Sequence, residues 1–217
     1  MAGLQTIIDN AVAISINRKK VAAQTISRSG RIKTSEIVSA VPYQFSVSMH
    51  QGLTYSANRA LTEEIDRLDI TEESNINIGG TNAGLSYITA YQGDISSAEL
   101  GDIYCVEYNG KNLIINTTNV TGAGTLFKAG DYIQPDSGYR YVYTVTEDVA
   151  FTTSANLSIP VHRAVIAQTG YTFANKGLLV GSDVSWRVKM VSKPNYTIVP
   201  YDRLAYDNKF ELIEVIT

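Results

Sequence analysis

Two long β-branched runs constrain this fold more than any other feature of the chain. Residues 13–26 read AISINRKKVAAQTI and residues 31–49 read RIKTSEIVSAVPYQFSVSM, with SRSG between them at 27–30. Partly alternating apolar and polar residues rich in Val, Ile and Thr favour strands, and Ser-Gly is turn chemistry. The expectation is a long N-terminal β-hairpin. Pro42 bends its second strand or moves it to an edge, because proline cannot donate to a ladder. Beyond it, Tyr43, Phe45, Val47 and Met49 alternate with polar residues, as in a half-buried strand.

The hairpin is also where the positive charge lies. Arg18, Lys19, Lys20, Arg28, Arg31 and Lys33 are six of the chain's 18 Lys and Arg, and no acid stands between Asp9 and Glu36. The rest of the chain holds the other 12 cations and 20 of the 21 acids, and the formal net charge is -3. A nucleic-acid binder is usually basic over a whole domain. Charge segregated in this way suits a basic arm meeting an acidic surface on another copy. Lysines on an exposed strand edge also deter unwanted pairing, and that plainer role fits the same residues.

One helix is expected, over 57–68 in SANRALTEEIDRLD, capped by Ser56. Ala57, Leu61, Ile65 and Leu68 form its apolar stripe, and Glu63 and Arg67 pair on the wet face. From about residue 85 the chain reads as short strands at hairpin spacing. YCVEYNGKNLIIN predicts a hairpin with a type I′ turn at Asn109-Gly110. Gly-Asp in ELGDIYCVEY and again in KAGDYIQPDSGYRYVYTV reads as a turn opening a strand. YRYVYTVT, at 139–146, reads as a tyrosine-rich strand. In VSWRVKMV, Val184, Trp186, Val188 and Met190 share a face, and Phe210, Leu212 and Ile213 make the last strand a buried one that closes the fold. The 217 residues therefore predict a single mainly β domain over 1–217, with a small β-barrel insertion around 85–170.

No catalytic, cofactor or metal set emerges. The two histidines, His50 and His162, stand in no motif and read as structural. Cys105 is the only cysteine, so it forms no internal disulfide and ligates no structural zinc with cysteine partners. Its alternation with Ile103 and Glu107, opposite Tyr104, Val106 and Tyr108, puts it on the less apolar strand face. The acids Glu63, Glu64, Asp66, Asp69, Glu72 and Glu73 lack calcium-loop spacing and read as a solvated face, or as a receiver for a neighbour's basic hairpin. No phosphate-binding glycine motif is present. The N-terminal stretch has its charges after the apolar run, unlike a signal peptide, and no run of 18 apolar residues could span a membrane.

The segments INRKKVAAQTISRSGRIKTSEIVSAVPYQFSVSMHQGLTYS, ANRALTEEIDRLD, FKAGDYIQPDSGYRYVYTV, SIPVHR, VGSDVSWRVKMVSKPNYTIVP and FELIEVI carry a resemblance that spans most of the chain. They resemble structural virion proteins of contractile-tailed bacteriophages, among tail-tube and baseplate components. The resemblance implies an antiparallel β-sandwich or barrel with one flanking α-helix and a long hairpin. It implies a ring subunit of the tube or of the tube–baseplate junction. Its partners would be copies of itself and other tail or baseplate proteins, with DNA at most passing through the channel, no membrane and no cofactor. Assembly would take place in the host cytoplasm. A neck or collar position fits the same composition. So does a carbohydrate- or nucleic-acid-binding β module using Tyr139, Tyr141, Tyr143 and Trp186 as an aromatic platform, with an enzyme the least favoured reading.

Overall fold

The computed structural model describes residues 4–18, 22–26, 32–36, 41–50, 52–80, 82–173, 176–207 and 209–216, with only the backbone of 22–26 and 32–36. From the N-terminus come α1 (Gln5–Asp9), β1 (Ala11–Asn17), β2 (Ala22–Ile26), β3 (Ile32–Glu36), β4 (Gln44–Met49), β5 (Leu53–Thr54), α2 (Tyr55–Asp66) and β6 (Glu73–Ile76). The middle adds α3 (Ser97–Leu100), β7 (Tyr104–Asn109), β8 (Asn112–Asn116), β9 (Thr125–Phe127), β10 (Tyr132–Pro135), β11 (Tyr143–Thr144), β12 (Val149–Ala150), β13 (Leu157–Pro160) and β14 (Lys176–Val180). The last part holds β15 (Trp186–Ser192), β16 (Tyr196–Val199), β17 (Arg203–Tyr206) and β18 (Phe210–Glu214).

The fold is mainly β and antiparallel, as the patterning predicts. One five-stranded sheet runs β1-β4-β18-β15-β6, and one six-stranded sheet runs β11-β10-β14-β7-β8-β13. Neither strand order is a closed barrel among the described residues, although the isolated bridge Val145↔Val161 links the chain just past β11 to the chain just past β13, the two outer strands of the six-stranded sheet. A small sheet, β16-β17-β5, lies at the start of α2, and β9 pairs with β12.

In the five-stranded sheet the period-2 pattern is obeyed. Phe45, Val47 and Met49 of β4, Trp186, Val188 and Met190 of β15, and Phe210 and Leu212 of β18 are all buried in one apolar cluster. β18 is central there, between β4 and β15, and Ile213 faces the other way and is half-buried. The six-stranded sheet has its own cluster, which includes Ile103, Cys105, Ile115, Ile133, Ile159 and Val180.

Several local expectations shift. The helix starts two residues early, at Tyr55, with Thr54 in the capping position and a non-helical Asn58 inside. Ser56 does not cap it; its N–H donates to Asp202 at 2.8 Å. Ile65 is buried and Leu61 and Leu68 are half-buried, but Ala57 is exposed, because the kink at Asn58 takes the first turn off the stripe. The β7–β8 hairpin forms, yet Asn109 pairs with Asn112, so Gly110 and Lys111 are the turn. Gly110 alone has positive φ (60°), which suits the first central position of a type II′ turn. Of the stretch 139–146 only Tyr143–Thr144 is strand. Both Gly-Asp pairs do precede strands, at β7 and β10.

Candidate functional site

The N-terminal hairpin is present as two ladders. β1 pairs with β4 through Ile16↔Phe45 and Asn17↔Gln44, and β2 then pairs with β3 from Ala22↔Glu36 to Ile26↔Ile32. The first ladder forms the edge of the five-stranded sheet, whereas the second is a sheet of two strands only. The strands predicted from β-branching are therefore real, and among the described residues their outer half has no third strand beside it.

Of the six hairpin cations, Lys19, Lys20, Arg28 and Arg31 lie outside the described residues, as does the SRSG turn. The backbone of Lys33 pairs with that of Thr25. Arg18 is exposed just past β1, close enough for its charge to act on Tyr132 and His162.

The acidic segment expected to receive a neighbour's arm is mostly engaged within the chain. Glu63 meets Arg67 at 3.1 Å, and Asp66 meets Lys193 at 3.2 Å and accepts from Tyr196. Glu64 accepts from the Thr6 hydroxyl at 3.0 Å. Asp69 accepts from Thr71, whose hydrogen bonds hold its carboxyl below the usual range. Glu73 sits between Arg187 and Lys189 across the β6–β15 ladder. Such exposed pairs add little stability, but they already neutralise the charge that a basic partner would seek.

The site that residue patterning missed lies between the two apolar clusters. Arg163 and Glu214 form a two-pronged pair, Nη1 to Oε2 at 2.6 Å and Nη2 to Oε1 at 2.6 Å, with side chains only 1% and 0% exposed. Arg163 also donates to the carbonyls of Val41 (2.9 Å) and Val142 (3.0 Å), and Tyr43 N–H donates to Glu214 at 3.1 Å. The guanidinium lies against the rings of Tyr43, Tyr141 and Tyr143, at 5.4, 6.0 and 5.3 Å. Burial by itself would lower the Arg163 pKa; the Glu214 carboxylate outweighs it and holds the pKa above the ordinary value. Tyr43 completes the join, since its hydroxyl shares a 2.6 Å hydrogen bond with Thr144. A signal for this pair does exist in the sequence. Phe210, Leu212 and Glu214 share one strand face, so an acid occupies an inward position and requires a buried cation.

The remaining candidates do not converge. His50 is exposed at the end of β4. His162 packs on Tyr43 and Tyr143, and its Nδ1 accepts from the Thr144 N–H at 3.0 Å. Burial, helped by the charges of Arg163 and Arg18, pushes its pKa down to about 3. Cys105 is fully buried on the apolar face of β7, with Ile103, and not on the less apolar face. The reason is that the six-stranded sheet turns that face inward, leaving Tyr104 and Val106 half-covered. Burial pushes the thiol up to about 12. Among the described residues no hydrogen bond joins any two of these three, and no group of three or more His, Cys, Asp or Glu could hold a metal ion. The aromatic platform is not on the surface, because Tyr139, Tyr141, Tyr143 and Trp186 are all at most 1% exposed. No described helix is long and apolar enough to cross a membrane.

No protein-family model matches the chain, and no curated protein matches it.

Proposed function

We propose that the chain is a structural subunit of a bacteriophage tail, a ring component of the tube or of the tube–baseplate junction. The observation that carries the reading is the basic hairpin. Its outer half is a two-stranded ladder with no neighbouring strand among the described residues, in a sequence segment that concentrates positive charge away from an otherwise acidic chain. A lone two-stranded ribbon is marginal in water and gains stability by lying on a surface. Copies of the chain, and other tail or baseplate proteins, supply that surface, and an acidic channel lets DNA pass without sticking. The engaged acids around α2 turn attention to other acidic surfaces as the receiver.

The test is charge reversal of Arg28, Arg31 and Lys33 to Glu in the full chain, read by negative-stain imaging and sedimentation. The expected result is rings or stacks for the wild type and a folded, unassembled subunit for the variant. Normal assembly of the variant, or tight DNA binding by the wild type in physiological salt, would overturn the reading.

A further inference from the structure

Of all the asparagines in the chain only Asn109 is followed by glycine, and no aspartate is. The pair sits where the β7–β8 hairpin turns. Asn109 ends β7 and pairs with Asn112, and Gly110 follows at φ 60°. Both residues are exposed, and a Cβ built on Gly110 meets nothing within 4 Å. Among the described residues neither the Gly110 N–H nor the Asn109 carboxamide makes a hydrogen bond. Other asparagine side chains are tied down. Asn58 donates to the Thr54 carbonyl at 2.8 Å, and Asn82 donates to the Ile8 and Ala11 carbonyls, each at 2.9 Å. An amide held in that way cannot turn its carbonyl carbon toward the nitrogen of the next residue; the Asn109 amide can.

A glycine nitrogen is the least hindered backbone nucleophile that can follow an asparagine, because no side chain shields it. The Gly110 nitrogen gives its proton to hydroxide and attacks Cγ of Asn109. The N–Cγ bond forms, the Cγ–Nδ2 bond breaks, and the side-chain amide leaves as ammonia with a proton taken from water. Water then opens the succinimide ring. Breaking the new N–Cγ bond gives aspartate. Breaking the original bond from the nitrogen to the main-chain carbonyl carbon gives isoaspartate, whose main chain runs through Cβ and Cγ. The sum is one water consumed and one ammonia released. Ring closure needs the Asn109 backbone to rotate out of its extended shape. The Asn109–Asn112 pair is the end of its ladder, where opening costs least.

The turn is seated on the segment 161–165. The Gly110 carbonyl accepts from the Val165 N–H and the Lys111 carbonyl from the Val161 N–H, each at 2.8 Å. Between those two valines lies Arg163, the partner of Glu214. We propose that Asn109 is a self-modification site: the Gly110 nitrogen closes on its carboxamide, and the isoaspartate that follows unseats the turn from the 161–165 segment. The extra main-chain carbon at position 109 shifts Gly110 and Lys111 against their two donors, so both bonds cannot be kept. The only co-reactant is water. The inference does not rest on the reading of the chain as a tail subunit. It gives the protein a covalent change that accumulates with age, next to the segment that joins its two sheets.

The experiment ages the full chain at mildly alkaline pH and follows it by peptide mass spectrometry and by labelling with an isoaspartate-directed carboxyl methyltransferase. The wild type is expected to gain isoaspartate at position 109 roughly tenfold or more faster than at any other asparagine, and faster still as pH rises. Asn109→Gln, whose longer side chain closes a larger ring, is expected to lose that labelling. Backbone amide exchange reads the second half of the proposal. In the aged fraction, separated by ion exchange, the Val161 and Val165 amides are expected to exchange roughly tenfold or more faster. Asn109→Asp adds the charge without lengthening the main chain, and is expected to keep wild-type exchange at both. Labelling at 109 no faster than elsewhere, or unchanged in Asn109→Gln, overturns the site. Protection of Val161 and Val165 that survives ageing, or that is lost equally in Asn109→Asp, overturns the unseating.

Discussion

In the five-stranded sheet, β4 from near the N-terminus lies against β18, the last strand of the chain, through Phe210↔Val47 and Leu212↔Phe45. In the six-stranded sheet, β7 meets β8 across the Gly110–Lys111 turn, and every strand comes from residues 104–180. The first sheet cannot be complete before its C-terminal strand exists, whereas the second is assembled from one continuous stretch. Contacts of long sequence separation form late and are opposed by loop-closure entropy; local ones are not. The side chains differ in parallel. The first core holds the only tryptophan, Trp186, packed on Phe45, Tyr43 and Tyr132, whereas tyrosines lie in both cores. Tryptophan fluorescence therefore reports on the first core. The Arg163–Glu214 pair joins the two cores, and it is the place to break the comparison.

Glu214→Ala leaves the Arg163 guanidinium buried without its carboxylate. Removing one partner of a buried pair destabilises by about 3–5 kcal/mol. The expected result in urea is a tryptophan transition displaced to lower denaturant. Arg163→Met with Glu214→Leu should recover much of the loss, because apolar replacement of both partners removes the unpaired charge. A single Glu214→Ala effect below about 1 kcal/mol would mean that the join carries no load.

Within the first core, Ile65 and Leu61 sharpen the account of α2. Ile65 is 1% exposed, so Ile65→Ala should lose about 2–5 kcal/mol. Leu61 is only half-buried and packs at the margin of the same cluster, so Leu61→Ala should lose clearly less. Equal losses in a urea titration of the two variants would place the helix differently on the sheet.

Acid should act at the join through His162. Its folded pKa is pushed down to about 3, from an ordinary value near 6.5. The unfolded chain then binds a proton that the folded chain refuses, so the stability present above pH 6.5 is lost as pH falls toward 3. The limiting slope for one proton is about 1.4 kcal/mol per pH unit. His162→Gln should flatten that part of a stability-versus-pH curve, and an unchanged curve would show that other groups dominate acid unfolding.

The smallest effect belongs to the exposed turn between β16 and β17, where Tyr201 has φ 67° and is 95% exposed. Tyr201→Gly should raise stability slightly, by at most about 1–2 kcal/mol from the relieved left-handed backbone, less the added freedom of the unfolded chain. Destabilisation would mean that Tyr201 makes a contact within the chain after all.

Local pattern by itself determined the hairpin, because its strands are neighbours in sequence and alternate correctly through Tyr43, Phe45, Val47 and Met49. It determined the inward face of Val184, Trp186, Val188 and Met190 for the same reason, and the β7–β8 hairpin to within one residue of its turn. Strand period and turn chemistry are properties of adjacent residues, so they can be read without the fold. Only the tertiary structure decided which faces turned inward when both were partly apolar, and so it buried Cys105 and the tyrosines at 139–143. It also decided the partner of Glu214. An acid on the apolar face of the last strand announces that a cation must be near, but nothing in the spacing points to Arg163. That choice was made by two sheets meeting in space, where the desolvation of each charge is tolerable only beside the other.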